Sequence, residues 1–144
     1  MHHPCKFGQG YELISFVLLT CVLFGIASSQ TCNDSIEGWV NGCSVPLGID
    51  FFFKEKFRSA CNKHDHCYNC AQHSNFQKTR RFCDKQFREN MKQACKTIKN
   101  LLVRGACSLT ANLYFKAVHK LGMFYFEQKS PAYCSAAWVK KCIK

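Results

Sequence analysis

Apolar side chains recur every three or four residues along the middle of the chain, and this spacing predicts amphipathic helices. We expect helices over residues 50–73, 75–99 and 108–126, with Asp50 and Ser108 as the N-cap residues of the first and the third. The alternating pattern that is typical of strands is weak throughout. The pattern therefore predicts a mostly α-helical fold.

Two segments outside these helices are predicted to be loops. Residues 32–48 contain the loop-forming residues Gly38, Gly42, Pro46 and Gly48, and Asn41-Gly42 is a typical turn pair. The tail from Lys129 onward carries Pro131 and lacks a helical pattern. Both segments contain cysteines.

The N-terminal part carries an uninterrupted apolar run over residues 13–27, preceded by Lys6. This run is shorter than the roughly 20 apolar residues that span a bilayer, and it ends in the small residues Ala27-Ser28-Ser29. We therefore predict a signal peptide over residues 1–29 and one secreted, extracellular domain over residues 30–144. We expect no transmembrane anchor.

The cysteines support this location. The full chain has twelve cysteines, and removal of the signal peptide takes away Cys5 and Cys21, which leaves ten. An even number in a small secreted domain indicates five disulfide bonds. A zinc site is a competing interpretation, because five residues have ligand-like spacing: His64, His66, Cys67, Cys70 and His73. An oxidising compartment disfavours it, since the thiolates are needed for disulfides.

The formal net charge is +11, and it belongs to the secreted part because Lys6 and Glu12 of the signal peptide cancel. A basic secreted protein is expected to meet a phospholipid membrane surface that carries negative charge, or a polyanionic cell surface. We expect no nucleic-acid partner, because no nucleic-acid-binding module is recognisable. A charge excess that only keeps the protein soluble is the remaining alternative.

Residues 61–72 carry most of the chemical information. On a helix, Cys61, His64 and Tyr68 share one face, and Asp65 points about a quarter-turn away from His64. An imidazole that accepts a proton beside a carboxylate that binds a cation is an arrangement suited to a hydrolase. A His-Asp dipeptide alone, however, is more often part of a solvated helix surface.

The first two predicted helices are joined by a short break, and helices joined in this way pack antiparallel. Cys67 and Cys83 then face each other across the turn. Asp84 would lie within about one helical turn of both His64 and Tyr68. A histidine, a carboxylate that orients it and the second carboxylate of the dipeptide would thus come together, which is more specific than the dipeptide.

These residues resemble the secreted, calcium-dependent phospholipase A2 superfamily. Its helix signature, Cys-x-x-His-Asp-x-Cys-Tyr, is matched by residues 61–68, and the Cys-Asp pair of its partner helix is matched by Cys83-Asp84. Within the superfamily, residues 41–46, 64–70 and 83–87 most resemble the conodipines of cone-snail venom.

The resemblance implies a small, disulfide-rich phospholipase A2-like fold with two antiparallel catalytic helices and a calcium-binding loop. The two predicted helices lie too close along the chain for the β-hairpin of pancreatic and snake-venom enzymes, so we expect no β-hairpin insertion. The resemblance also implies that Cys43 pairs with Cys61 and that Cys67 pairs with Cys83. The pairing of the other six cysteines stays open.

By the same resemblance, the reaction is hydrolysis of the sn-2 ester of a glycerophospholipid by water. His64 is implied to be the general base, Asp84 to orient it and Tyr68 to support Asp84. Ca²⁺ is the implied cofactor, with Asp65 as its only side-chain ligand. Backbone carbonyl groups of one loop are implied to complete the coordination: Asn41, Gly42, Cys43 and Val45.

Two aspects of function stay open. A catalytically weak phospholipase-like toxin or receptor-binding protein would keep the same scaffold, and calcium-dependent fatty-acid release from phosphatidylcholine vesicles separates it from an enzyme. The resemblance to conodipines also implies that one precursor is cut into two disulfide-linked chains. This would place a cut within or just before residues 107–134, where the chain has single basic residues and no dibasic pair.

Overall fold

The computed structural model describes residues 31–34, 36, 39–43, 52–126 and 129–144. The predicted signal peptide, the predicted N-cap Asp50 and the predicted calcium ligand Val45 lie outside the described residues.

The described part of the chain is built from three α-helices and three short 3₁₀ helices. The α-helices are α1 (Lys54–Cys70), α2 (Arg80–Lys96) and α3 (Leu101–Leu121). The 3₁₀ helices follow α3 in the chain: Gly122–Phe124, Ala132–Ser135 and Val139–Lys141. Among the described residues, the β-pairing consists of an isolated antiparallel bridge between Ile36 and Val40.

Helix α1 is shorter than predicted at both ends. It is preceded by Phe53, whose φ of 66° lies in the left-handed region, so the helix begins only after this residue. Phe53 packs against the core from there, with its ring centroid 6.1 Å from that of Phe57. Helix α1 ends at Cys70, and residues 71–79 form turns rather than a β-hairpin.

The other two helices begin at different residues from those predicted. Thr79 caps α2, because its hydroxyl accepts a 3.2 Å hydrogen bond from the Phe82 N–H. Asn100 caps α3 by accepting a 3.1 Å bond from the Val103 N–H. The predicted N-cap Ser108 lies inside α3 instead, where its hydroxyl donates to the Arg104 carbonyl at 3.0 Å.

Contacts between α1 and α2 show how the two helices run. Cys67 is bonded to Cys83, and His64, one turn earlier in α1, contacts Asp84 and Phe87, further along α2. Residues nearer the start of α1 therefore contact residues nearer the end of α2, so the two helices are antiparallel. Phe57 of α1 and Tyr114 of α3 meet edge to face at 5.6 Å, so α3 completes a three-helix core.

Five disulfides tie this small core together. The described structure contains Cys43–Cys61 and Cys67–Cys83, the two pairs that the resemblance implies. The pairs left open are Cys32–Cys142, Cys70–Cys134 and Cys95–Cys107. The expectation of a mostly helical, disulfide-rich fold is thus confirmed.

Two of these bonds fasten the C-terminal tail. Cys134 and Cys142 attach it to the end of α1 and to the N-terminal loop, and Val139 and Ile143 are buried there beside Tyr68. The tail, predicted as a loop, therefore forms two 3₁₀ helices because it has a core to pack against. No helix in the described part of the chain is both long and apolar enough to cross a membrane.

Candidate active site

A buried histidine and a buried aspartate face each other between α1 and α2. His64 Nε2 lies 3.3 Å from Asp84 Oδ1, and the two residues are 7% and 0% exposed. The antiparallel helix pair makes this contact, and the Cys67–Cys83 bond clamps it one turn away. The His64 ring is also packed between the rings of Tyr68 and Phe87, with centroid distances of 4.0 and 4.6 Å.

Tyr68 supports the same carboxylate from α1. Its hydroxyl donates to Asp84 Oδ1 at 2.5 Å, so one oxygen accepts from both Tyr68 and His64. Gly122 packs directly against this hydroxyl, since a Cβ built at this glycine would overlap Tyr68 Oη. A glycine is therefore required where the chain leaves α3.

The second oxygen of Asp84 has partners that sequence reasoning missed. Arg80 Nη1 donates to Oδ2 at 3.2 Å, and His119 Nδ1 of α3 lies 3.3 Å from the same oxygen. Arg80 Nη1 also lies 3.0 Å from the His119 carbonyl, which links α2 to α3. The spacing of Arg80 one turn before Asp84 was a usable sequence signal, whereas nothing in the sequence indicates His119.

These contacts determine the charge states of the pair. Burial alone would raise the pKa of Asp84, but the hydrogen bonds from His64 and Tyr68 outweigh it, so the pKa lies below its ordinary value. Burial lowers the pKa of His64, and its bond to Asp84 only partly opposes this. An ionised Asp84 accepts a proton-bearing Nε2, which leaves Nδ1 of a neutral His64 able to accept a proton.

Asp65 lies next to the N-terminal loop rather than in the His64–Asp84 pair. The Asn41 backbone N–H donates to Asp65 Oδ2 at 3.4 Å. Gly42 follows with a φ of 79°, a conformation that glycine adopts readily, and Cys43 is fixed to α1 by its bond to Cys61. The structure therefore brings Asp65 together with three of the four predicted loop residues, and the fourth, Val45, is not among the residues described.

The surroundings of Asp65 fit a bound cation. Burial raises its pKa to about 7, partly offset by the bond from Asn41. No described lysine or arginine forms an ion pair with it. A carboxylate withdrawn from water without a cationic partner is costly, and Ca²⁺ prefers such an oxygen ligand together with backbone carbonyls. These residues thus fit the implied calcium ion as far as they are described.

The zinc interpretation is wrong. Cys67 and Cys70 are both in disulfides, and no three His, Cys, Asp or Glu side chains of the described residues form a cluster that could hold a metal ion. His66 is fully buried, with its ring 5.2 Å from that of Trp138 and 5.8 Å from that of Tyr133. Burial lowers its pKa to about 4, so it packs as a neutral ring.

Comparison with known proteins shows the family of the chain. The sequence profile of the prokaryotic phospholipase A2 family matches residues 24–122, which is well over half of the chain. The chain belongs to this family. The matched segment includes α1, α2 and α3, and with them the described hydrogen-bond partners of Asp84: His64, Tyr68, Arg80 and His119.

Conodipines are among the curated relatives that match the chain, which confirms the resemblance to them. Conodipine-P3 and conodipine-P2 of Conus purpurascens are 37% and 36% identical over 76 residues, 53% of this chain and 38% of each relative. Conodipine-M alpha chain of Conus magus is 36% identical over 55 residues, 38% of this chain and 68% of the relative. The chain thus matches well under half the length of the conodipine-P relatives. No solved structure matches it.

Proposed function

We propose that the protein is a secreted, calcium-dependent phospholipase A2 that hydrolyses the sn-2 ester of glycerophospholipids. One observation carries the proposal: a buried His64, held by an ionised Asp84, lies on the same helix as Asp65, the carboxylate next to the 41–43 loop. Membership of the prokaryotic phospholipase A2 family supports the reaction class.

In the proposed mechanism His64 is the general base. Its Nε2–H donates to Asp84, so Nδ1 can accept a proton from the attacking water. The negative charge of Asp84 then stabilises the imidazolium, and Tyr68 and Arg80 hold the carboxylate in place. The proton on Nδ1 is afterwards available to the leaving alcohol. Water is the nucleophile, so no covalent intermediate with the protein is needed.

Asp65 and the backbone carbonyls of Asn41, Gly42, Cys43 and Val45 are the proposed ligands of Ca²⁺. When bound, the ion supplies positive charge that polarises the ester carbonyl and offsets the charge of the lipid phosphate. The raised pKa of Asp65 supports this role, because this half-buried carboxylate has no cationic partner among the described residues, and a bound cation would supply one.

Secretion and processing complete the proposal. Five disulfides suit an oxidising, extracellular compartment, and we propose residues 1–29 as the signal peptide and residues 30–144 as the mature domain. One relative is named an alpha chain, so we include processing into two disulfide-linked chains. Any cut between residues 107 and 134 leaves Cys32–Cys142 and Cys70–Cys134 joining the pieces.

The test is release of fatty acid from phosphatidylcholine labelled in the sn-2 chain. The oxidised protein with Ca²⁺ is expected to release the label, while excess chelator and His64→Gln are each expected to stop release. Equal release of label from phosphatidylcholine labelled in the sn-1 chain would contradict the proposed specificity.

His73→Gln is the matched control, because His73 lies outside α1 and does not contact Asp84. It is expected to retain full activity. Absence of hydrolysis by the correctly disulfide-bonded protein would favour the other use of this scaffold, a phospholipase-like toxin or receptor-binding protein.

A further inference from the structure

Large apolar side chains are exposed in succession where the chain leaves α3. Leu121, Met123, Phe124 and Tyr125 are 43%, 64%, 78% and 63% exposed, while Gly122 between them is buried. We call Leu121, Met123, Phe124 and Tyr125 the α3 turn patch. Four large apolar side chains exposed within five residues of the chain indicate a place where a partner binds.

The α3 turn patch is held rigidly beside the candidate active site. The Tyr125 N–H donates to the Gly122 carbonyl at 3.1 Å, and Gly122 closes against the hydroxyl of Tyr68. Phe126, next in the chain, meets the Tyr68 ring edge to face at 5.3 Å. The backbone of the patch is therefore fixed to the residue that supports Asp84, while its large side chains point into solvent.

The charge around the patch is positive. Lys116 and Lys120 are exposed, lie one turn apart on the same side of α3 and have no ion-pair partner among the described residues. Helix α3 contains no acidic residue. Lys129 follows the patch and is also exposed, and Glu127, the one acidic residue nearby in the chain, lies outside the described residues. Apolar side chains flanked by lysines suit an anionic lipid surface.

A second copy of the chain fits this surface less well. Each copy carries a net charge of +11, so two copies brought together through neighbouring lysines would repel each other. An anionic lipid surface instead offers phosphate groups to the lysines and a hydrocarbon boundary to the apolar side chains.

We propose that the α3 turn patch inserts into the boundary region of an anionic phospholipid membrane, with Lys116 and Lys120 binding lipid phosphates. The purpose of this contact rests on the proposed function, because it would bring the protein to its substrate. The contact itself does not depend on hydrolysis and is tested by binding alone.

The test uses the full disulfide-bonded protein and vesicles of ether-linked phosphatidylcholine with about 30 mol% ether-linked phosphatidylserine, which resist hydrolysis. Met123→Ser with Phe124→Ser is expected to lower the vesicle partition coefficient by about tenfold or more. The matched control is Leu101→Ser with Leu102→Ser in the first turn of α3, where the two leucines are 75% and 86% exposed. It is expected to keep partitioning within about twofold, because the proposed contact does not include it.

Lys116→Gln with Lys120→Gln is expected to weaken binding to these vesicles by about tenfold and to change binding to pure phosphatidylcholine vesicles little. The proposal is overturned if the wild type does not bind, or if both apolar double variants lose binding equally. It is also overturned if sedimentation shows that the wild type is a dimer and that, of these variants, only Met123→Ser with Phe124→Ser is a monomer. A second copy of the chain is then the partner.

Hydrolysis of a short-chain, monomeric phosphatidylcholine separates this proposal from the proposed function. The Met123, Phe124 double variant is expected to hydrolyse it at the wild-type rate. If the wild type does not hydrolyse it, the proposed function fails, while vesicle binding still decides the proposal about the patch.

Discussion

Replacing Asp84 with asparagine tests whether the buried carboxylate holds the candidate active site together. Oδ1 accepts from His64 and Tyr68, and Oδ2 lies within hydrogen-bonding distance of Arg80 and His119. Asparagine keeps the shape of the side chain but replaces one acceptor oxygen with an N–H₂ donor. Whichever way the amide turns, its N–H₂ then faces two of the four groups that contact the carboxylate of Asp84.

The structure indicates which pair is lost. The side chains of Arg80 and His119 are 28% and 51% exposed and can turn to water, whereas His64 is buried. The amide nitrogen is therefore expected to face Arg80 and His119. Since an unsatisfied or lost bond to a charged group is worth about 1–3 kcal/mol, and water compensates in part here, we expect the free energy of unfolding to fall by about 2 kcal/mol.

Activity should fall further than stability. His64 keeps an acceptor for Nε2–H, but the imidazolium loses a buried negative charge beside it. Loss of about 3–5 kcal/mol of this stabilisation corresponds to a decrease in kcat of about 10²- to 10⁴-fold. The measurements are urea unfolding and the initial rate of fatty-acid release at saturating Ca²⁺.

Glu89→Gln is the matched control, because it removes the same charge from an exposed position on α2, where Glu89 Oε1 lies 3.9 Å from Lys92 Nζ. This change is expected to alter the free energy of unfolding by less than about 0.5 kcal/mol and to leave kcat unchanged. Wild-type kcat in a folded Asp84→Asn variant would refute the role given to the carboxylate.

Three further predictions concern calcium binding, the pH dependence of stability and proteolytic processing. Asp65→Asn should abolish both calcium binding, measured by titration calorimetry, and hydrolysis, whereas His64→Gln should abolish hydrolysis and keep calcium binding; calcium binding by the first variant would count against the ligand assignment. Because the pKa of Asp84 lies below its ordinary value of 3.8, its ionisation contributes stability that is fully present above pH 3.8 and is lost as the pH falls through the lower folded-state pKa. Acid unfolding of the wild type should show this loss and that of Asp84→Asn should lack it. In processed natural material we expect a cut after Lys129, since the other single basic residues of residues 107–134 lie within α3; a single unchanged mass after reduction would contradict it.

The helix pair and its chemistry could be predicted because their signals are local or depend on short loops. His64, Asp65 and Tyr68 lie within two turns of one helix. The short connection after α1 favours antiparallel packing of α2 against it. The Cys67–Cys83 bond and the approach of Asp84 to His64 follow from that geometry.

The helix boundaries could not be predicted as well, because they depend on caps rather than on periodicity. Asn100 and Ser108 are both good N-cap residues, and the sequence of residues 101–107 between them is compatible with a loop or with a helix. The bond between Cys95 and Cys107 and the packing of Cys107 in the core favour helix from Leu101 onward. Tertiary contacts therefore decide between two start points of similar local preference.

Residue identity and helical period alone are enough to predict which chemical groups are present and which of them share a helix face. The packing of α3 against α2 was needed to show that His119, 35 residues beyond Asp84, reaches the same carboxylate. The tertiary structure also decided that Asp65 is withdrawn from water far enough for its pKa to rise to about 7. Both depend on how separate elements are brought together in space, and burial and long-range contacts have no periodic signature along the chain.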